Sequence, residues 1–77
     1  MDKKEFLMSV EQALTGSEYE RFAHSAYMNS AATAMVLGVG KNRVKALMEG
    51  YERQIGHTVR YAKIDVYNAC KKNGTLA

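Results

Sequence analysis

Between positions 41 and 45 the chain sets Lys41, Asn42, Arg43 and Lys45 around one apolar residue, Val44. An asparagine amide pairs a donor with an acceptor in the spacing of the adenine edge, and a guanidinium forks onto guanine O6 and N7 in the same two-point way. Lysine ammonium groups are mobile point charges suited to phosphate oxygens. Each two-point base contact discriminates by roughly 1–3 kcal/mol. Bond-making chemistry has no comparable grouping. There is no Ser/His/Asp or Cys/His set and no paired carboxylates in a plausible cleft. His24, His57 and Cys70 lack the spacing of metal ligands, and Gly38-Val39-Gly40 reads as a turn rather than a nucleotide cradle. The expectation is a binder of double-stranded DNA that is not an enzyme and uses neither cofactor nor metal.

Holding those four side chains outward requires a helix, a tight turn and a second helix. Ala31, Ala32, Met35 and Leu37 supply the packing of the first, and Gly38 can take the positive φ that ends it. Val39 fills the corner, and Gly40 is an acceptable cap for the second helix. There Val44, Leu47 and Met48 fall on one stripe, so Lys41, Asn42, Arg43, Lys45 and Glu49 remain outside. The free N–H groups where this helix begins favour a nearby phosphate. Further on, residues 54–58 suit a hairpin tip, with Gly56 supplying the unusual backbone angle. Residues 58–61 read as a strand in which Val59 and Tyr61 face the core while Arg60, with His57, meets the DNA backbone or minor groove. Arg53, in the loop before the hairpin, is a weaker phosphate candidate, and Lys63 to Lys72 reads as a closing helix.

In order and spacing, residues 29–73 resemble the excisionase and MerR-like winged helix-turn-helix DNA-binding families of mobile elements. The resemblance implies a helix-turn-helix followed by a short hairpin whose last strand is basic and aromatic, then a closing helix. It also implies a function: a recombination directionality factor or small transcriptional regulator that performs no bond chemistry. Excisionase-like members bind adjacent sites, bend DNA and help an integrase assemble, so an integrase or another copy of this chain is the implied further partner. Two positions depart from the family pattern. Ala62 stands where a Ser or Thr cap is usual and Gly40 where Ser is usual, each weakening a helix start by a few tenths to about 1 kcal/mol.

Residues 1–28 lie outside the resemblance and read as an extension of two helices. Asp2 and Glu5 have capping-box spacing, followed by Phe6, Leu7, Val10, Ala13 and Leu14 at three-four intervals and a stop at Gly16. Ser17 and Glu20 form a second capping box, followed by Tyr19, Phe22, Ala23, Ala26 and Tyr27 on the next helix, with Asn29 and Ser30 ending it. These helices would cover the back of the domain. In an alternative reading they are a docking face, with Tyr19, Phe22 and Tyr27 as aromatic anchors. The chain would then be a phage- or plasmid-encoded antirepressor or inhibitor using a helix-turn-helix-like fold to bind protein. His24 is assigned no chemistry.

Seventy-seven residues allow one domain, mainly α: a winged helix-turn-helix with a two-stranded wing and two extra N-terminal helices. A chain of this size buries only about 60 % of its unfolded surface, so its core is marginal. Residues 1–39 set Lys3, Lys4 and Arg21 against Asp2, Glu5, Glu11, Glu18 and Glu20, net −2; residues 40–77 set eight cations against three acids, net +5. A basic half beside an acidic one suits a polyanion partner. The lone Cys70, at helical spacing from Val66, is expected to be a small core hydrophobe. No apolar run suits a membrane span or signal peptide, which points to the cytoplasm. The tail from Asn73 to Ala77 is expected to be disordered.

Overall fold

The computed structural model of the chain describes residues 1–74. Among these, helices α1 (Lys3–Leu14), α2 (Ser30–Leu37), α3 (Lys41–Leu47) and α4 (Lys63–Lys72) and strands β1 (Tyr27–Met28), β2 (Arg53–Ile55) and β3 (Thr58–Ala62) follow one another in the order α1-β1-α2-α3-β2-β3-α4. The fold is mainly α, about half of it helical, with a small antiparallel sheet in the order β1-β3-β2.

α1 starts where Asp2 accepts the Glu5 amide N–H at 2.8 Å. Phe6, Val10 and Leu14 recur at four-residue spacing and are buried, so one stripe holds the helix; Ala13 faces solvent. α4 packs against that stripe, with the Phe6 and Tyr67 rings 5.6 Å apart. Val66, Ala69 and Cys70 of α4 are fully buried, and burial pushes the Cys70 thiol pKa up. Asn73 closes α4 by donating its side-chain amide to the Ala69 carbonyl at 2.8 Å, so the expected disordered tail does not begin there; residues 75–77 lie outside the described residues.

The second N-terminal helix is replaced by a single 3-10 turn (Glu20–Phe22) and the strand β1. The capping residues are present, but they serve the turn. Ser17 Oγ donates to the Leu14 carbonyl at 2.7 Å and accepts from the Tyr19 N–H, while the Glu20 carboxylate accepts from the Gly16 N–H at 2.7 Å. What defeats helix propagation is distant pairing. Tyr27 and Met28 ladder onto Ala62 and Tyr61, which carries Met28 into full burial. The sheet therefore has three strands where two were expected, and residues 1–28 add one helix rather than two. Their core residues Phe6, Val10, Leu14, Phe22 and Met28 join one cluster with Val44, Met48 and Val66.

Asn29 caps α2 by accepting the Ala32 N–H at 2.7 Å, and Thr33, fully buried, donates its hydroxyl to the Asn29 carbonyl. Gly38 ends α2 at φ +69°, a conformation that costs glycine nothing and other residues about 1 kcal/mol. Val39 N–H then returns to the Ala34 carbonyl at 3.1 Å, and α3 leaves from the extended backbone of Gly40. Met35, expected in the packing, is 39 % exposed; the inward face of α2 is formed by Ala32 and Thr33.

Candidate nucleic-acid interface

α3 is anchored from behind by Val44, Leu47 and Met48, all buried as their spacing requires. At 100° per residue the opposite meridian runs through Asn42 and Ala46. Lys41 and Lys45 flank it on one side and Arg43 on the other. All five side chains are exposed. Among the described residues Lys41, Asn42, Arg43 and Lys45 make neither a side-chain hydrogen bond nor an ion pair. Ala46 escaped the sequence reading, although its position one turn after Asn42 marks it; a small apolar side chain there suits a thymine methyl.

Between α3 and β3 lies a groove of about 570 Å³, lined by Ser30, Lys41, Asn42, Lys45, Glu49, Glu52, Val59 and Tyr61. Strand alternation explains the β3 wall, because Val59 and Tyr61 project from one face of the hairpin. Tyr61 is buried as expected. Val59, expected in the core, is 45 % exposed because the hairpin extends past the last core layer. The Tyr61 hydroxyl pKa is raised by burial and, secondarily, by the charge of Glu52. Glu52, which sequence reasoning passed over, accepts the Gly50 N–H at 2.6 Å, a bond that a positive-φ glycine makes reachable.

Arg53 and Arg60 sit apart from this groove. Arg53 belongs to β2, not to a loop, and stands directly across the ladder from Arg60. Like charges so paired repel, and each is drawn to a separate partner on the other hairpin face. Arg53 Nε donates to Asp65 at 2.9 Å, and this hydrogen bond, with the Asp65 charge, raises the guanidinium pKa further. Arg60 is half-buried, its guanidinium 5.6 Å from the Phe22 ring centre, and donates to the Val59 carbonyl at 3.2 Å. His57 is exposed in the two-residue turn Gly56-His57, where Gly56 takes φ +64°. Sequence-predicted contacts thus divide into Lys41, Asn42, Arg43 and Lys45 together on α3, His57 at the hairpin tip, and two arginines turned towards the body.

Of the three aromatic residues in the alternative docking reading, one is buried and two are half-buried. Phe22 is only 8 % exposed and lies under Arg21 as well as Arg60, with the Arg21 guanidinium 4.6 Å from its ring centre. Tyr19 and Tyr27 are half-buried, Tyr19 just before the 3-10 turn and Tyr27 on β1. Tyr19 hydrogen-bonds Glu18, which raises its pKa. His24 Nδ1 lies 2.9 Å from Glu11 on an exposed surface. Among the described residues no three His, Cys, Asp or Glu side chains converge as metal ligands, and no helix is long and apolar enough to cross a membrane. No family model, curated protein or solved structure matches this chain.

Proposed function

We propose that this protein binds double-stranded DNA sequence-specifically as a winged helix-turn-helix protein, with α3 as the recognition helix and the β2–β3 hairpin as the wing. One observation carries the reading: four side chains suited to bases and phosphates stand exposed and unpartnered on a helix locked from behind. A helix about 10–12 Å across with its side chains matches the width of the major groove. Asn42, on the outward meridian, reads a base; Arg43 reaches a base or phosphate on one flank; Lys41 and Lys45 engage phosphates on the other. His57 follows at the wing tip, with Arg60 adding general positive potential, while the charge of Arg53 is answered by Asp65. The biological output is that of an excisionase-like directionality factor or a small regulator of a mobile element, acting in the cytoplasm with an integrase or a second copy as further partner.

Retardation of duplex DNA in a native gel tests this. Arg43→Ala combined with Lys45→Ala abolishes retardation while the circular dichroism spectrum stays that of the parent, because neither side chain contributes a bond to the fold. Unchanged retardation by the double variant overturns the assignment to α3.

A further inference from the structure

The groove between α3 and β3 carries no net formal charge: Lys41 and Lys45 on its walls are matched by Glu49 and Glu52. This stands out in a half of the chain whose net charge is +5. Among the described residues none of the four joins an ion pair, so the opposite charges share the groove without cancelling by contact. Glu52 is held in place by the Gly50 N–H at 2.6 Å and lies near enough to Tyr61 to add to the rise in its pKa that burial begins. Glu49 is exposed and makes no side-chain bond.

A carboxylate only accepts hydrogen bonds, so neither residue can bond a phosphate oxygen, and both repel one. We propose that Glu49 and Glu52 are counter-charges that hold down phosphate binding in this groove, so that recognition depends on base contacts rather than on charge; the inference rests on the DNA-binding reading above. Phosphate neutralisation supplies essentially all sequence-independent affinity. Lowering it weakens the hold of cognate and random sites alike, and leaves base contacts a larger share of the total binding free energy.

Glu49→Gln, Glu52→Gln and the double variant test this by fluorescence anisotropy on a mixed-sequence duplex of about 20 base pairs, two helical turns. Glutamine keeps an amide oxygen to accept the Gly50 N–H, so only charge is removed. Glu49→Gln alone, at an exposed and unbonded site, carries the test should the other change disturb the turn. The double variant binds the random duplex about three- to tenfold tighter than the parent at about 0.1 M salt, and the gain shrinks at about 0.5 M as screening shortens the reach of charge. Affinity within about twofold of the parent at the lower salt, or weaker, overturns the inference. In that case, loss of binding by the Arg43→Ala, Lys45→Ala variant leaves the DNA reading standing. Failure of both the parent and the charge-removed chain to bind any duplex removes that reading, and this inference with it.

Discussion

Two grooves of nearly equal size flank the sheet, about 570 Å³ beside α3 and about 540 Å³ beside α1, and they treat their charges in opposite ways. Of the charges lining the α1 groove, Glu11 meets His24 at 2.9 Å, Arg53 reaches Asp65 outside the lining at 2.9 Å, and Lys63 Nζ donates to the Ala23 carbonyl at 2.8 Å. In the α3 groove, Lys41, Lys45 and Glu49 have no such partner among the described residues. The first set of charges closes the chain on itself. The second is left to solvent, which stabilises it at almost no cost to the fold and keeps it available to a ligand. Equal volume therefore does not mean equal use of charge; the presence of internal partners separates a closed seam from an open face.

Removing the wall behind the α3 groove breaks this comparison most severely. Met48 is fully buried at the end of α3, and Met48→Ala lowers unfolding free energy by about 2–5 kcal/mol in urea titration. Against the 5–15 kcal/mol typical of small domains, roughly, that is a large fraction. Duplex affinity falls in step with the folded fraction. An unchanged urea midpoint would mean that α3 is not held by this stripe.

A smaller effect is expected at the α1 seam. Lys63→Ala strands the Ala23 carbonyl, which costs about 1–3 kcal/mol, and leaves duplex affinity per folded molecule unchanged. Its pH dependence carries a sign. Burial lowers the Lys63 pKa, so between that lowered value and the ordinary lysine value of about 10.4 the unfolded chain holds more protons than the folded one. Lys63 then contributes stability that rises with pH across this window and is level on either side of it. The gap between parent and variant widens as pH climbs towards the ordinary value. The Cys70 thiol and Tyr61 hydroxyl, whose raised pKa values act in the opposite direction, are common to both chains and drop out of the difference. A gap that narrows instead would contradict the seam role.

How far the sequence foretells each region follows the distance to its partners. The α2–α3 corner is readable because its bonds are local: Asn29 caps an N–H three residues on, and Gly38 turns the chain by itself. α4 spans Lys63–Lys72 as expected even though Ala62 supplies no side-chain cap, because the Lys63 N–H is taken by the Ala26 carbonyl at 2.9 Å. That same distant segment is where the reading fails. Ser17 and Glu20 announce a helix, but the strand pairing of Tyr27 and Met28 with residues more than thirty positions away decides the outcome. The site divides likewise. The helical period alone marks the α3 side chains as outward, whereas Arg53, Arg60, Val59 and Glu52 acquire their roles from the hairpin register and from Asp65, Phe22 and Gly50.

The smallest expected effect sharpens the comparison best, because it asks two cations of equal formal charge to behave differently. Lys45→Gln removes a charge with no internal partner, so the slope of log affinity against log salt on a duplex falls by about one. Arg53→Gln removes a charge already answered by Asp65 at 2.9 Å on the far face of the hairpin. Its salt slope stays at the parent's value, and duplex affinity moves by less than about twofold. A local exchange of partners should accompany the change: Asp65 loses its guanidinium and Arg60 loses a like charge across the ladder. That rearrangement is confined to the side of the sheet away from α3. Equal loss of slope from both variants would mean that DNA draws Arg53 off Asp65, and that the α1 seam opens when the α3 groove is filled.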